Sequence, residues 1–150
     1  MLRKLSYAAS LIVFVCAILW WTAPPIRAAG HTILAGQYSI ESQLVLPHME
    51  EMRRIHKHVN ACVNDGDAAQ LFPIFHQPAL TGCVLTPQEY VGETSRYVLD
   101  CQGVNGASGT AELAIKDALI TGELVAKMGG KNMTFSQYIN AKRIGNCFAQ

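Results

Sequence analysis

Four cysteines, Cys62, Cys83, Cys101 and Cys147, follow a leader-like N-terminus and constrain the fold more than any other feature of this chain. An even number of cysteines behind a secretion signal is typical of disulfides formed in an oxidising compartment. A small domain in such a compartment obtains part of its stability from these crosslinks. The sequence therefore predicts an exported domain with two disulfides, whereas no motif in it specifies a substrate or a reaction.

Residues 1–29 have the three parts of a secretory signal. Arg3 and Lys4 are basic, the run AASLIVFVCAILWW is apolar and contains the fifth cysteine, Cys16, and small residues near Ala29 suit cleavage. The apolar run is shorter than the roughly 20 residues that a membrane-spanning helix needs. We therefore expect a signal peptide at 1–29 and a single mature domain at 30–150, with an uncleaved anchor as the alternative. The expected location is the periplasm or the exterior of the cell.

The charge of the mature part is close to neutral. Three of the 12 basic residues lie in the leader, so nine remain against 11 acidic residues. This balance gives no basis for a nucleic-acid partner. No residue pattern indicates a cofactor, and contact with a membrane is expected only through an uncleaved leader.

The first part of the mature chain predicts one strand and one helix. Residues 36–46 alternate between apolar and polar side chains, as in a half-buried strand. Residues 49–63 instead carry apolar side chains at steps of three and four, which is the stripe of an amphipathic helix. This stripe consists of Met49, Met52, Ile55, Val59 and Cys62. Residues 71–82 contain two prolines and are predicted to form an ordered loop anchored by Leu71, Phe72, Ile74 and Phe75.

The second part predicts five further strands, near 83–91, 94–101, 109–116, 119–128 and 133–141. Short turn sequences such as Gly92-Glu93 and Asp117-Ala118 separate them, which favours antiparallel neighbours. The expected fold class is therefore α+β and mainly β. It consists of an antiparallel meander of about five to six strands with one N-terminal amphipathic helix and two disulfides.

Several motifs in the chain have the order found in one bacterial family. Gly36-Gln37-Tyr38-Ser39 stands at the first strand, the four cysteines follow in order, and the chain closes on Arg143-Ile144-Gly145-Asn146-Cys147. In these features the chain resembles the secreted or periplasmic domain of unknown function family thirty-six seventeen, although Tyr38 replaces the usual tryptophan. The resemblance implies an exported location and a similar fold, and it implies no particular activity.

The pairing of the four cysteines has three solutions. We favour Cys62–Cys83, which closes the loop after the predicted helix, and Cys101–Cys147, which ties the C-terminus to a central strand. The rival pair is Cys83–Cys101, because a tight turn at Gly92-Glu93 would place these two residues opposite each other. Zinc binding is disfavoured, since no two of the cysteines form a C-x-x-C pair and an oxidising compartment opposes free thiolates.

Neither the histidines nor the serines form a recognisable site. On the predicted helix, His56 and His58 would point to nearly opposite sides, so they would not share a metal ion. Ser95, Ser108 and Ser136 lack the G-x-S-x-G context of a nucleophile elbow. We therefore assign no metal-binding and no catalytic residue.

The sequence then favours a non-catalytic role in which a groove between sheet and helix binds a small apolar ligand or an envelope partner. Tyr38, Tyr97, Met133 and Phe135 are the candidate groove residues, although core packing explains them equally well. The alternatives are a metal-handling protein that uses its histidines and an uncharacterised hydrolase.

Overall fold

A computed structural model describes residues 32–47, 54–103, 106–129 and 133–147. Within these ranges lie seven strands and three short 3-10 helices. The strands are β1 (Gly36–Val45), β2 (Arg54–Val63), β3 (Cys83–Val91), β4 (Thr94–Cys101), β5 (Ser108–Lys116), β6 (Leu119–Lys127) and β7 (Thr134–Gly145). The 3-10 helices, Ala69–Leu71, Pro73–His76 and Pro78–Leu80, make up the stretch 69–80, which we call the covering segment. The expected leader at 1–29 lies outside the described residues.

All seven strands belong to one antiparallel sheet with the order β2-β1-β7-β6-β5-β4-β3. Strands β3 to β7 form a meander, because each of them pairs with the next along the chain. Strand β1 then pairs with β7 and also with β2. The first and last strands therefore lie side by side, and β2 and β3 stand at the two ends of the strand order.

The core lies between one face of the sheet, which we call the inner face, and the covering segment. Successive side chains of a strand point to opposite faces, so every second residue faces inward. Leu113 of β5 and Leu124 of β6 are completely buried there. Leu71 and Phe72 of the covering segment are equally buried and belong to the same cluster. The predicted loop at 71–82 is thus an ordered piece of the core, and its proline-rich sequence takes short 3-10 turns.

Two hairpin turns show why particular residues stand at the ends of strands. Gly92 joins β3 to β4 with a φ of 59°, and Asp117 joins β5 to β6 with a φ of 54°. This left-handed region costs glycine little, and aspartate tolerates it better than most residues do. The turn sequences that predicted antiparallel neighbours therefore form tight hairpins because their residues accept the left-handed backbone conformation.

The predicted helix at 49–63 is wrong, since residues 54–63 form strand β2. Ile55, Val59 and Val63 are four residues apart, and this spacing fits a strand, whose period is two, as well as a helix. Their β-branched side chains favour extended structure, and β1 supplies a hydrogen-bonding partner along the whole of β2. The fold is therefore all-β, and the expected five to six strands become seven. Met49 and Met52 lie outside the described residues.

The favoured disulfide pairing is also wrong. Cys62 is bonded to Cys147, with their Cα atoms 5.5 Å apart, and Cys83 is bonded to Cys101. The second bond is the rival that the hairpin suggested, because Cys83 and Cys101 are directly opposite in the register of β3 and β4. The first bond depends on the pairing of β1 with both β2 and β7, which brings the end of β2 next to the end of β7.

The two disulfides match what is found in proteins exported to an oxidising compartment. None of the helices in the described ranges has the length and hydropathy needed to cross a bilayer.

Candidate functional site

A groove opens on the inner face where the covering segment leaves the ends of β1, β2 and β7 uncovered. Its volume is about 370 Å³. Both the sheet and the second 3-10 helix contribute to its walls, and the lining residues are Ser42, Leu44, Ile55, Lys57, Pro73, Ile74, Gln77 and Gln137. Most of the lining surface is apolar, which is typical of sites for small organic ligands.

Two buried polar side chains hold the base of this groove together. Gln137 is only 3% exposed, and its Oε1 accepts a hydrogen bond of 3.2 Å from the backbone N–H of Ile74. Ser42 is 6% exposed and donates a hydrogen bond of 3.3 Å to the carbonyl of Lys57. Gln137 therefore fixes the covering segment against β7, and Ser42 adds a link between β1 and β2. Since these polar groups bind within the protein, the walls above them remain apolar.

The rim of the groove is exposed. Ile55 on β2 retains 42% of its accessible surface, although it belongs to the same face as the buried residues Val63 and Ile40. Lys57 and Gln77 are also exposed and contribute the polar part of the rim. The result is an apolar trough with one cationic side chain at its edge.

The candidate groove residues from the sequence lie elsewhere in the fold. Tyr38, Tyr97 and Phe135 are core residues with 2%, 5% and 7% of their surface exposed. Met133 precedes β7 and is 46% exposed. The lining of the groove includes none of these four described side chains.

The two buried tyrosines serve the fold. The Tyr38 hydroxyl donates a hydrogen bond of 2.8 Å to the carbonyl of Leu34. Burial raises the pKa of Tyr38 and of Tyr97 above the usual value of 10.0. Both side chains therefore stay neutral at physiological pH, and we assign them no chemical role.

The first and last strands of the domain are joined by a contact between Gly36 and Arg143, which we call the latch. Arg143 donates two hydrogen bonds to the carbonyl of Ala35, of 3.2 Å from Nε and 3.0 Å from Nη2, and a third of 2.8 Å from Nη2 to Oδ1 of Asn146. A Cβ at Gly36 would collide with the guanidinium of Arg143 and would lie 2.6 Å from the carbonyl oxygen of Gly145. The guanidinium therefore has room only because residue 36 is a glycine. The N- and C-terminal motifs thus hold the ends of β1 and β7 together.

The orientation of His56 and His58 differs from the prediction, because β2 is a strand and not a helix. His56 and His58 now share the outer face, by which we mean the face opposite the covering segment. Among the described residues, however, no group of three or more His, Cys, Asp or Glu side chains is close enough to hold a metal ion. His31 and His48 lie outside the described residues.

One serine–histidine contact bears on the hydrolase alternative. Ser39 Oγ lies 2.9 Å from His58 Nε2 on the outer face. Acyl transfer also needs free N–H donors for the developing oxyanion. Strand β1 pairs with β2 on one side and β7 on the other, so the backbone N–H groups around Ser39 are used in the sheet. Strand β1 therefore offers no free backbone donor for an oxyanion at Ser39.

A larger depression of about 490 Å³ lies on the outer face of β5, β6 and β7. Threonine and glutamate side chains line it, and it is more open than the groove. Glu112 beside it pairs with Arg96, whose Nε lies 3.0 Å from Oε2, but both side chains are more than half exposed. Such exposed pairs contribute little to stability, about 0–1 kcal/mol. Enclosure and apolar walls favour the groove as the candidate site.

Sequence reasoning overlooked the groove for an identifiable reason. Gln137 is a polar residue between Phe135 and Ile139 on an otherwise apolar strand face. This break in the apolar pattern was the one indication in the sequence that Gln137 has a special role. Lys57 gave no such signal because its segment was predicted as a helix. The covering segment, which completes the walls, is placed by tertiary contacts alone.

Comparison with known proteins gives one match. A family model described as "Protein of unknown function (DUF3617)" matches residues 33–147, the region that carries the cysteines and the closing motif. This match confirms the resemblance seen in the sequence. No curated protein and no solved structure matches the chain.

Proposed function

Because the chain belongs to the DUF3617 family, whose description gives no activity, we propose a function from the geometry of the groove. The protein is an exported, non-catalytic binding protein that holds a small apolar ligand between the sheet and the covering segment. The observation that carries this proposal is an apolar cavity of about 370 Å³ whose buried polar side chains already bind within the protein.

The size and lining of the groove support a small ligand. Ligand sites are concave and mostly apolar, with volumes of about 300–1,000 Å³, and the groove lies near the lower end of this range. An apolar ligand would also remove the exposed surface of Ile55 from water, which contributes roughly 25 cal/mol for each Å² buried. The largest gain in binding free energy would therefore come from covering the exposed side chain of Ile55 at the rim.

The exported location is part of this proposal. The leader-like residues 1–29 and the two disulfides support a periplasmic or secreted protein. Mass mapping of protein recovered from the exported fraction of its own cells is expected to find both disulfides formed. Free thiols at Cys62 or Cys83 in that material would contradict the location.

Two other roles have weaker support. An envelope protein is the alternative occupant, and the groove favours a small ligand because its volume is only about 370 Å³ and it is partly enclosed. Metal handling would need more ligands than His56 and His58, the two histidines that share the outer face. Titration with zinc would favour metal handling if it released heat that disappears in the variant H56A.

The test uses the neutral fluorescent probe N-phenyl-1-naphthylamine, whose emission rises in apolar sites. The oxidised protein is expected to bind it saturably with one site per chain. The variant Ile55→Glu replaces an apolar wall residue by a carboxylate, and covering that charge with an apolar probe should weaken binding by about tenfold or more.

A matched control is available on the other end strand of the sheet. Val84 on β3 is also β-branched and is 54% exposed, but it lies away from the groove. Val84→Glu is expected to bind the probe as the wild type does, and both variants should keep the wild-type urea midpoint. Absence of saturable binding by the wild type, or equal effects of the two substitutions, would overturn the proposed function.

A further inference from the structure

We infer that the ligand of the groove is a single-chain amphiphile with an anionic headgroup, which Lys57 binds at the rim. This inference rests on the proposed function, because it concerns the chemistry of the same site. It adds the charge of the ligand and the way the ligand lies in the groove.

The distribution of charge in the groove is one-sided. Among the described residues that line it, Lys57 is the only ionisable one. On β1, the inner-face residues opposite and next to Lys57 are Ile40, Ser42 and Leu44. The inner-face residues of β7 that lie beyond β1 are Phe135, Gln137, Ile139, Ala141 and Arg143. No carboxylate therefore shares this face with Lys57 in the described parts of these three strands.

Lys57 also has no ion pair within the part of the chain that the structure describes. Its neighbours on β2 that face the same way are Ile55 and Val59, so its aliphatic stem runs along apolar surface while its ammonium reaches water. An anion bound at the rim would therefore accept a charge-assisted hydrogen bond from an exposed ammonium group, while its apolar part lies in the groove.

The shape of the groove limits the apolar part of the ligand. Leu44, Pro73 and Ile74 form apolar walls, and the total volume of about 370 Å³ is small for an organic ligand. Such a space suits one alkyl chain better than the several chains of a membrane lipid. The alkyl chain would lie against these walls, and the headgroup would lie beside Lys57 and Gln77 at the exposed edge.

The test compares three ligands with the same alkyl chain: dodecanoate and dodecyltrimethylammonium below their micelle concentrations, and dodecanol below its solubility limit. Each competes with N-phenyl-1-naphthylamine for the oxidised wild-type protein. Dodecanoate is expected to displace the probe at a concentration roughly three- to fivefold lower than dodecanol, and the ammonium compound is expected to be the weakest.

Three variants assign the preference to one side chain. Lys57→Met should bring dodecanoate to the level of dodecanol while leaving dodecanol itself within about twofold, because the stem remains apolar. Lys57→Glu should reverse the order in favour of the ammonium compound. Lys142→Met changes an exposed lysine on the outer face of β7 and should leave all three affinities unchanged.

The outcomes separate this inference from the proposed function. If wild-type protein binds dodecanol and dodecanoate equally, or if Lys57→Met keeps the preference for dodecanoate, the headgroup assignment is overturned and the apolar site stands. If neither the probe nor dodecanol binds, the proposed function itself fails. Equal urea midpoints for the wild type and the variants confirm that each comparison concerns folded protein.

Discussion

The two disulfides close loops of very different length, and this difference predicts how much each contributes to stability. Cys62 and Cys147 are 85 residues apart in sequence, whereas Cys83 and Cys101 are 18 apart. A crosslink stabilises mainly by restricting the unfolded chain, and this effect grows with the loop it closes. The perturbation is the reduction of one disulfide in a variant that lacks the other.

The loop lengths give the expected magnitudes. On the chain-entropy treatment, the Cys62–Cys147 bond contributes about 4.5 kcal/mol and the Cys83–Cys101 bond about 3 kcal/mol. Domains of this size are stable by about 5–15 kcal/mol, so either loss is a large fraction of the total. The difference of about 1.5 kcal/mol between the two bonds is the quantity that the experiment must resolve.

The assay is urea unfolding of two variants, each oxidised and each reduced. The variant C83A/C101A retains only the long-range bond, and C62A/C147A retains only the hairpin bond. Comparing oxidised with reduced forms of the same variant cancels the packing lost on truncation, which matters because Cys83 and Cys101 are partly buried. With a slope of about 1.5–2 kcal/mol/M, the midpoints should fall by about 2–3 M and about 1.5–2 M respectively.

Equal losses of free energy on reduction of the two variants, or a larger loss for the hairpin bond, would contradict the expected dependence on loop length. Either result would mean that the unfolded chain is not restricted in proportion to the loop. Peptide mapping of the oxidised wild-type protein provides the control, and it should recover Cys62 linked to Cys147.

Further predictions concern the latch, the core and one tyrosine. Gly36→Ala should destabilise the fold by about 1–3 kcal/mol in urea unfolding, because its Cβ meets both Arg143 and backbone. Leu113→Ala should cost about 2–5 kcal/mol, since Leu113 is completely buried and leaves a cavity. Burial raises the pKa of Tyr97 in the folded state, so the unfolded chain ionises this residue first; stability should fall as the pH rises above about 10, and Tyr97→Phe should reduce this slope.

Each of these predictions has a contrasting measurement. Val98→Ala truncates a side chain on the outer face that is 38% exposed, and it should cost far less than Leu113→Ala. Equal losses would place Leu113 outside the core. A Gly36→Ala protein as stable as the wild type would refute the close approach of Arg143, and an unchanged alkaline slope in Tyr97→Phe would refute the shift in its pKa.

The end motifs and the groove differ in what their residues do. Arg143 and Asn146 belong to the motif that the sequence made most conspicuous, yet their hydrogen bonds stay within the protein. Ser42 and Gln137 are inconspicuous in the sequence, yet they form the base of the groove. Prominent motifs in this chain therefore support the scaffold, and the candidate site uses residues that only the fold brings together.

Local pattern was sufficient for most of the sheet. Alternation along 109–116 and 119–128 predicted β5 and β6 nearly to their ends, because the residues at every second position of these two strands, apart from Gly109 and Gly122, are apolar and buried in the structure. The turn at Asp117 could be predicted from the conformational preference of this residue alone. These features follow from the sequence alone, since the period of the side chains and the turn residues act over a few neighbours.

Long-range pairing decided the rest. The steps of three and four in 49–63 allowed a helix, and only hydrogen bonding of Arg54–Val63 with β1 made the segment a strand. The same pairing, together with that of β1 and β7, set Cys62 beside Cys147 and opened the groove. Contacts between residues so far apart depend on the order of strands in the sheet, and no short stretch of sequence contains that order.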